Sequence, residues 1–296
     1  MRVSEKGLYN TITNDLQTGL EKLLKLQESA SSGKKIMRPS DDPAGVMKVI
    51  DYNTAISKVE QYQRNVDSIN SGLTATESAI ANVQDVVQRA KELSVQAMNS
   101  LNNSSDRAVI AKEVEQISQQ VLQIANTQVN GKYIFSGYNI NTAPYSSDGT
   151  YTGTYPGGYM KVEVNSGSTI EANMPGYTVF GSSAYGTNII GTLNNLKTAL
   201  DNNDTSGISN AMTNLDSSLE QLNNARAEVG AKTNRLDVVK TYLSRLNIDL
   251  TDFKSQTEDA DFTEVITQLT LQQNIVDASR ASVSRVLQQS ILNFLK

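Results

Sequence analysis

The chain of 296 residues contains no cysteine, no histidine and no tryptophan. Without cysteine there is no disulfide framework, no thiolate nucleophile and no Cys-held metal. Without histidine the commonest general base and the commonest metal ligand are missing too. Only five prolines occur, none of them between Pro43 and Pro144, so nothing there forbids a long helix. Apolar residues make up 38% and aromatics 6%, which favours thin, elongated packing over one thick core. No run of about 18 apolar residues occurs, so no transmembrane helix is expected. A net charge of −5 offers no basic face for nucleic acid. The opening MRVSEKGLYNTITNDL lacks an apolar h-region and a small-residue cleavage site, so no Sec signal peptide is expected. Taken alone, these points suggest a cytosolic protein of two or so domains.

What is present is helical period, broken in a few definite places. Residues 4–30 carry Tyr9, Ile12, Leu16, Leu23 and Leu26 at heptad spacing, with Gly19 in one slot. Leu8, Leu20 and Leu24 widen the stripe. It reads either as an ordinary surface helix or as an arm that needs a partner, since a helix of this length is marginal alone in water. Ser29–Met47 is the first break. It sets Gly33, Pro39 and Pro43 around Asp41 and Asp42, with Ser40 and Asp41 before a helix start and Gly45 at its mouth. These residues are expected to form a hinge. The consecutive carboxylates could hold a metal or act as acid and base, but the flanking Ser and Pro favour a capping or turn role.

Beyond the hinge, Tyr62, Val66, Ile69, Leu73, Thr76, Ile80, Val83, Val87 and Ala90 alternate four and three residues apart. Such a run predicts a rod or coiled coil from about residue 44 to 99. Ser104 or Ser105 is expected to cap the next helix, roughly 106–128, which shows Val109, Ile110, Val114, Ile117, Val121 and Ile124 and is expected to fold back against the rod. The composition then changes. Residues 131–191 hold 11 of the 18 glycines and 8 of the 12 tyrosines but only five charged residues. Turn signals at Ser147-Asp148-Gly149 and Pro156-Gly157-Gly158, and the alternation of Met160–Val164, predict a small β-rich insertion. No phosphate-cradling glycine motif is present.

From Thr192 the helical period returns. Leu222, Val229, Leu236, Leu243 and Leu250 fall seven apart, with Lys232 the one polar entry in the intermediate seam, and predict a second rod antiparallel to the first. Ser255–Asp261 interrupts it. Phe262, Ile266, Leu269, Val276, Val283 and Leu287 then make a last stripe, which ends in Leu292, Phe294 and Leu295. An apolar end without a core of its own marks a partner surface.

The expected fold is mainly α: an elongated antiparallel long-helix rod or coiled coil, with paired terminal helical arms and a small inserted β-rich domain. The expected divisions are 1–43 with 261–296, 44–130 with 192–260, and 131–191. The assembly surface is expected on Leu8, Ile12, Leu16 and Leu23 of one arm and on the Phe262-to-Leu295 stripe of the other. Arg226 and Arg235, nine apart, face opposite ways on a helix and suggest surface or subunit salt bridges. No nucleophile–base constellation exists, so no catalytic, cofactor or metal residue is assigned and no enzyme is expected. A hydrolase on a helical stalk is the alternative from another class. A membrane-active reading of the arms suits their mixed polar faces poorly.

At the hinge the residues resemble a known family. Ser31-Ser32-Gly33-Lys34-Lys35 followed by Pro39-Ser40-Asp41-Asp42-Pro43 is similar to the N-terminal signature of the bacterial flagellin family. The PSDDP form is closer to that family's hook-filament junction branch than to the filament flagellins. Asn126–Gly137, Arg226–Ala231 with Asn234–Leu236, Asp261–Ile266 with Leu269, and Ser290–Leu295 are similar to the family as well. The resemblance implies a structural subunit, a ring oligomer of itself between the first hook-associated protein and flagellin. It also implies export through the flagellar type III channel with an export chaperone, and hence an extracellular place on the flagellum. The alternative within the family is a minor flagellin. No nucleic acid, membrane or cofactor is implied.

Overall fold

The structure is a computed structural model that describes residues 2–99, 103–153, 156–182 and 184–294, with the side chains of 2–6, 8 and 286–294 left undescribed. In chain order the helices are α1 (Arg2–Ser32), α2 (Pro43–Ala97) and α3 (Ser104–Ala125), followed by the strands β1 (Gln128–Val129), β2 (Lys132–Tyr133), β3 (Lys161–Asn165) and β4 (Ser168–Glu171). Helices α4 (Gly176–Val179), α5 (Ile189–Asp201), α6 (Thr205–Glu258) and α7 (Phe262–Phe294) complete the described chain. The fold is mainly helical with a small β region. It divides into two compact units, residues 1–58 with 247–296 and residues 59–246.

In the 59–246 unit the four-three alternation of α2 reads out directly as burial. Val66, Ile69, Leu73, Ile80, Val83, Val87 and Ala90 are buried, and Tyr62 is half-buried. Thr76 occupies an apolar slot because its hydroxyl donates to Gly72 O at 2.9 Å, which satisfies the one polar group it brings. On α6, Leu222, Val229, Leu236 and Leu243 are buried in turn. The surface pairs Lys91–Asp216, Arg226–Glu77 and Lys240–Asp67 join rising positions on α2 to falling positions on α6, so the two helices run antiparallel. Arg226 places its guanidinium on Glu77 and Gln84 of α2.

The N-cap of α3 is Asn103, one residue before the first of the two serines expected to cap it. Asn103 Oδ1 accepts from Asp106 N–H at 3.0 Å while the Asp106 carboxylate accepts from Asn103 N–H at 3.1 Å, a reciprocal capping box. That phase buries Ile110, Val114, Ile117 and Val121 and turns Val109 to solvent, 67% exposed. Arg107 is buried and donates from Nε to Ala97 O at 2.9 Å, answering a carbonyl that the end of α2 leaves without an intrahelical partner. Ser118 bonds Asn194 and Lys197 pairs with Glu115, which lays α5 against α3.

Between α3 and α5 the insertion is mostly turn and loop, held by aromatic rings rather than by sheet. β1 and β2 close a two-residue hairpin over Asn130 and Gly131, both at positive φ. Phe135, Phe180, Tyr145, Tyr151 and Tyr177 form a chain of edge-on and tilted contacts with centroids 4.9–5.8 Å apart. Tyr145 is buried with its hydroxyl donating to Gly181 O at 2.9 Å, and that burial pushes its pKa well above the usual phenol range. The antiparallel β3–β4 hairpin pairs Val162 with Ile170, and two of its carbonyls accept hydrogen bonds from the long helices. Asn65 of α2 donates to Glu163 O at 2.8 Å, and Arg235 of α6 reaches Thr169 O at 3.4 Å. Lys232, the polar entry in the α6 seam, pairs with Glu171 and Glu228 and lies over the Tyr159 ring, which ties the hairpin to α6.

Candidate functional site

The other unit contains the expected hinge, Gly33–Pro43, and both terminal helices. Asp42, not Ser40 or Asp41, is the N-cap of α2: its Oδ1 accepts from Gly45 N–H at 2.9 Å and its carbonyl from Val46 N–H. Pro43 follows at the first helical position, where its missing N–H costs nothing. Gly45 lies under Ile36, where an added Cβ would come within 2.5 Å of Ile36 Cδ1 and collide with Asp42. Asp41 ties the loop to α1. It accepts from Lys25 Nζ at 3.1 Å and from Arg38 N–H at 3.0 Å, and these bonds hold its carboxyl below the usual 3.8. Asp42 thus caps α2 through Oδ1, while Asp41 closes the turn through Oδ2 and binds Lys25 through Oδ1. Pro39 is exposed in the bend, and Gly33 adopts φ 72°, the left-handed conformation that ends α1.

The hinge does not stand alone. Lys35 N–H donates to Glu258 O at 2.8 Å, Ala260 N–H donates to Gly33 O at 2.9 Å, and Lys34 bridges Asp259 as in a short antiparallel ladder. The break between α6 and α7, with Asp261 capping α7 through Thr263 N–H at 2.8 Å, is therefore laced to the break between α1 and α2.

From this joint α1 and α7 pack antiparallel. Ile12, Leu16 and Leu23 are half-buried on α1; on α7, Val276 is buried and Leu269 and Val283 are half-buried. Gly19 is the point of closest approach. Gln272 Nε2 donates to its carbonyl at 3.0 Å, and an added Cβ would lie 3.5 Å from both Gln272 and Val276. Burying Val276 there contributes about 1.5–3 kcal/mol to the pairing. Phe262 (63% exposed) and Ile266 (39%) point away from this seam. Val265, adjacent to Ile266, is the residue that α7 buries instead. Leu271 and Ile275, nine residues on from Phe262 and Ile266, are exposed on the other side of α7, and Tyr9 and Leu24 are exposed on α1, so large apolar side chains flank the seam rather than fill it. The side chains of Leu8, Leu287, Leu292 and Phe294, and Leu295 as a whole, lie outside the described residues.

Among the described residues, no group of three Asp, Glu, His or Cys side chains could hold a metal, and no helix is long and apolar enough to cross a membrane. What the geometry offers is a helix pair with a packed seam, exposed apolar side chains flanking it and a laced base.

Comparison with known proteins finds relatives along nearly the whole chain. The flagellar hook-associated protein 3 of Escherichia coli is 28% identical over 303 residues, covering 94% of this chain and 95% of the relative. A flagellar filament core protein of Treponema maltophilum is 26% identical, with 94% and 91% covered. Among solved structures, FlgL of Bacillus cereus matches with a TM-score of 0.60 and 28% identity, over 69% of this chain and 99% of that one. A putative flagellar hook-associated protein of Vibrio parahaemolyticus, 20% identical, shares the fold with a TM-score of 0.68 over 74% and 100%. The family model for the bacterial flagellin N-terminal helical region matches residues 3–140, and that for the C-terminal helical region matches residues 212–295. With its two terminal helices paired, and with both family regions together covering about three quarters of its length, the chain belongs to the bacterial flagellin family.

Proposed function

We propose that this protein is a structural subunit of the bacterial flagellum that joins the hook to the filament. The observation that carries the reading is the similarity to hook-associated protein 3 along nearly the whole chain, terminal helices and insertion included. In this role it forms a ring of identical copies, contacts the first hook-associated protein on one side and flagellin on the other, and performs no turnover. An export chaperone and the flagellar type III channel bring it to its extracellular place.

Its work is shape matching. The α1–α7 seam holds the terminal pair together through Leu16, Leu23, Leu269 and Val276. The exposed Phe262 and Ile266, with Tyr9, Leu24, Leu271 and Ile275, face neighbouring subunits, where burial of apolar area drives association. The Gly33–Pro43 stretch acts as the hinge that orients the pair.

The minor-flagellin alternative has the Treponema filament protein in its favour. Gene deletion separates the two. Loss of a junction subunit leaves hooks without filaments and spills flagellin into the medium, and the plasmid-borne gene restores the filaments. Intact filaments on the deletion strain would overturn the proposal.

A further inference from the structure

Two chain segments connect the α1–α7 pair to the α2 and α6 residues of the same unit, and they lie side by side. The bonds from Lys35 N–H to Glu258 O and from Ala260 N–H to Gly33 O flank the Lys34–Asp259 bridge. A single extended connection swivels about its φ and ψ angles, whereas two connections bonded laterally cannot turn independently. Side chains lock the same ribbon. Lys34 Nζ pairs with the Glu258 carboxylate, and Lys254 Nζ stands 3.9 Å from its other oxygen. Lys35 Nζ donates to Gln256 O at 2.6 Å, and Ser29 Oγ to Lys34 O at 2.7 Å. Glu258, 9% exposed, is the one acidic residue in the buried class among the described residues. A carboxylate taken that far out of water needs its ion pair, and removing the partner costs more than at an exposed site.

We propose that the two breaks form a single strap keyed by Glu258, which lets the terminal pair bend at its base while preventing it from swivelling. Glu258 is a positioning residue: it fixes which face of the α1–α7 pair, the one with Phe262 and Ile266 or its opposite, is turned outward. The strap belongs to the chain itself and holds whatever the terminal pair goes on to touch.

The absence of cysteine makes the test direct, since two introduced cysteines are the only labelling sites. With spin labels at Glu21→Cys on α1 and Asp51→Cys on α2, both exposed, the full-length chain is expected to give a narrow distance distribution. Glu258→Gln broadens it, with little change in the helical melting curve. Lys34→Gln removes only the more exposed partner and broadens it likewise, which covers the case in which Glu258→Gln impairs folding. Lys34→Arg, which retains the charge, keeps the distribution narrow. Hydrogen exchange at the Lys35 and Ala260 amides quickens in the two Gln variants by up to about fivefold, the scale of a partly exposed ion pair. A broad distribution in the parent chain overturns the strap. So do unchanged distributions in both Gln variants, or broadening by Lys34→Arg equal to theirs.

Discussion

Along α2, Leu73, Ile80, Val83 and Val87 are wholly buried, while along α1 the corresponding heptad positions Ile12, Leu16 and Leu23 reach only half-burial. The repeat is the same and the surroundings differ. In the 59–246 unit, α2 has α3 and α6 against it and an aromatic insertion beside them, so a two-sided stripe is closed from several directions. In the terminal pair, each helix has one partner, and one seam covers only part of an apolar face. The difference teaches that heptad spacing specifies where a helix seeks a neighbour but not how many it finds. A helix with a single neighbour keeps apolar surface for use elsewhere.

The largest effect that tests this contrast is at Leu73. Leu73→Ala is expected to cost about 2–5 kcal/mol, the range for emptying a closed core, whereas Leu24→Ala on the outer face of α1 should stay within about 0.5 kcal/mol. Urea unfolding followed by far-ultraviolet circular dichroism measures both. Equal costs would mean that the isolated chain already covers Leu24.

A smaller effect is expected at the point of closest approach in the terminal pair. Gly19→Ala adds a methyl at ordinary contact distance and removes a helix-interior glycine, so it should stabilise α1 by about 0.5–1 kcal/mol. Gly19→Leu must displace Gln272 and Val276 and should cost about 1–3 kcal/mol. Hydrogen exchange along residues 12–30 and 265–283 reads both changes, slower for the first and faster for the second. Slower exchange in both variants would sink the close-packed seam.

The smallest effect concerns the charges at the joint. Asp41 is held below its ordinary 3.8, first by the Lys25 bond and then by Arg38 N–H. Its contribution is complete above 3.8 and is lost as pH falls through the lower folded value. Lys34 behaves in the opposite sense. Raised above 10.5 by its bond to Glu258, it contributes fully below 10.5 and loses that contribution as pH rises through the folded value. Carbon-detected titration should place the Asp41 midpoint below 3.8, and Lys25→Gln should move it back up. A midpoint at or above 3.8 in the parent chain would dissolve the clamp.

Much of the helical fold was legible because burial follows period. The α2 stripe and the Leu222–Leu243 series could be read straight from spacing. Spacing alone does not choose between neighbouring residues that are chemically alike: Val265 and Ile266 are both apolar, and only the phase set by the Asp261 cap decides that Val265 goes in. Val109 and Ile110 pose the same problem, settled by the Asn103 capping box. At the joint, the turn chemistry of Gly33, Asp42 and Pro43 was visible. Its lacing to Glu258 and Ala260 was not, because backbone hydrogen bonds across more than two hundred residues leave no composition or period behind. Glu258 looked like one more polar residue in a helix-ending cluster.

The capped edges of the β3–β4 hairpin carry a consequence for life among many copies. A bare strand edge is a template, and a ring of identical chains would bring such templates together at high local concentration. Asn65 already answers the Glu163 carbonyl and Arg235 the Thr169 carbonyl, so a sister hairpin arriving edge-on finds two of the acceptors it needs occupied. The long helices thereby leave the hairpin fewer free acceptors for the cross-strand stacking that leads to fibres.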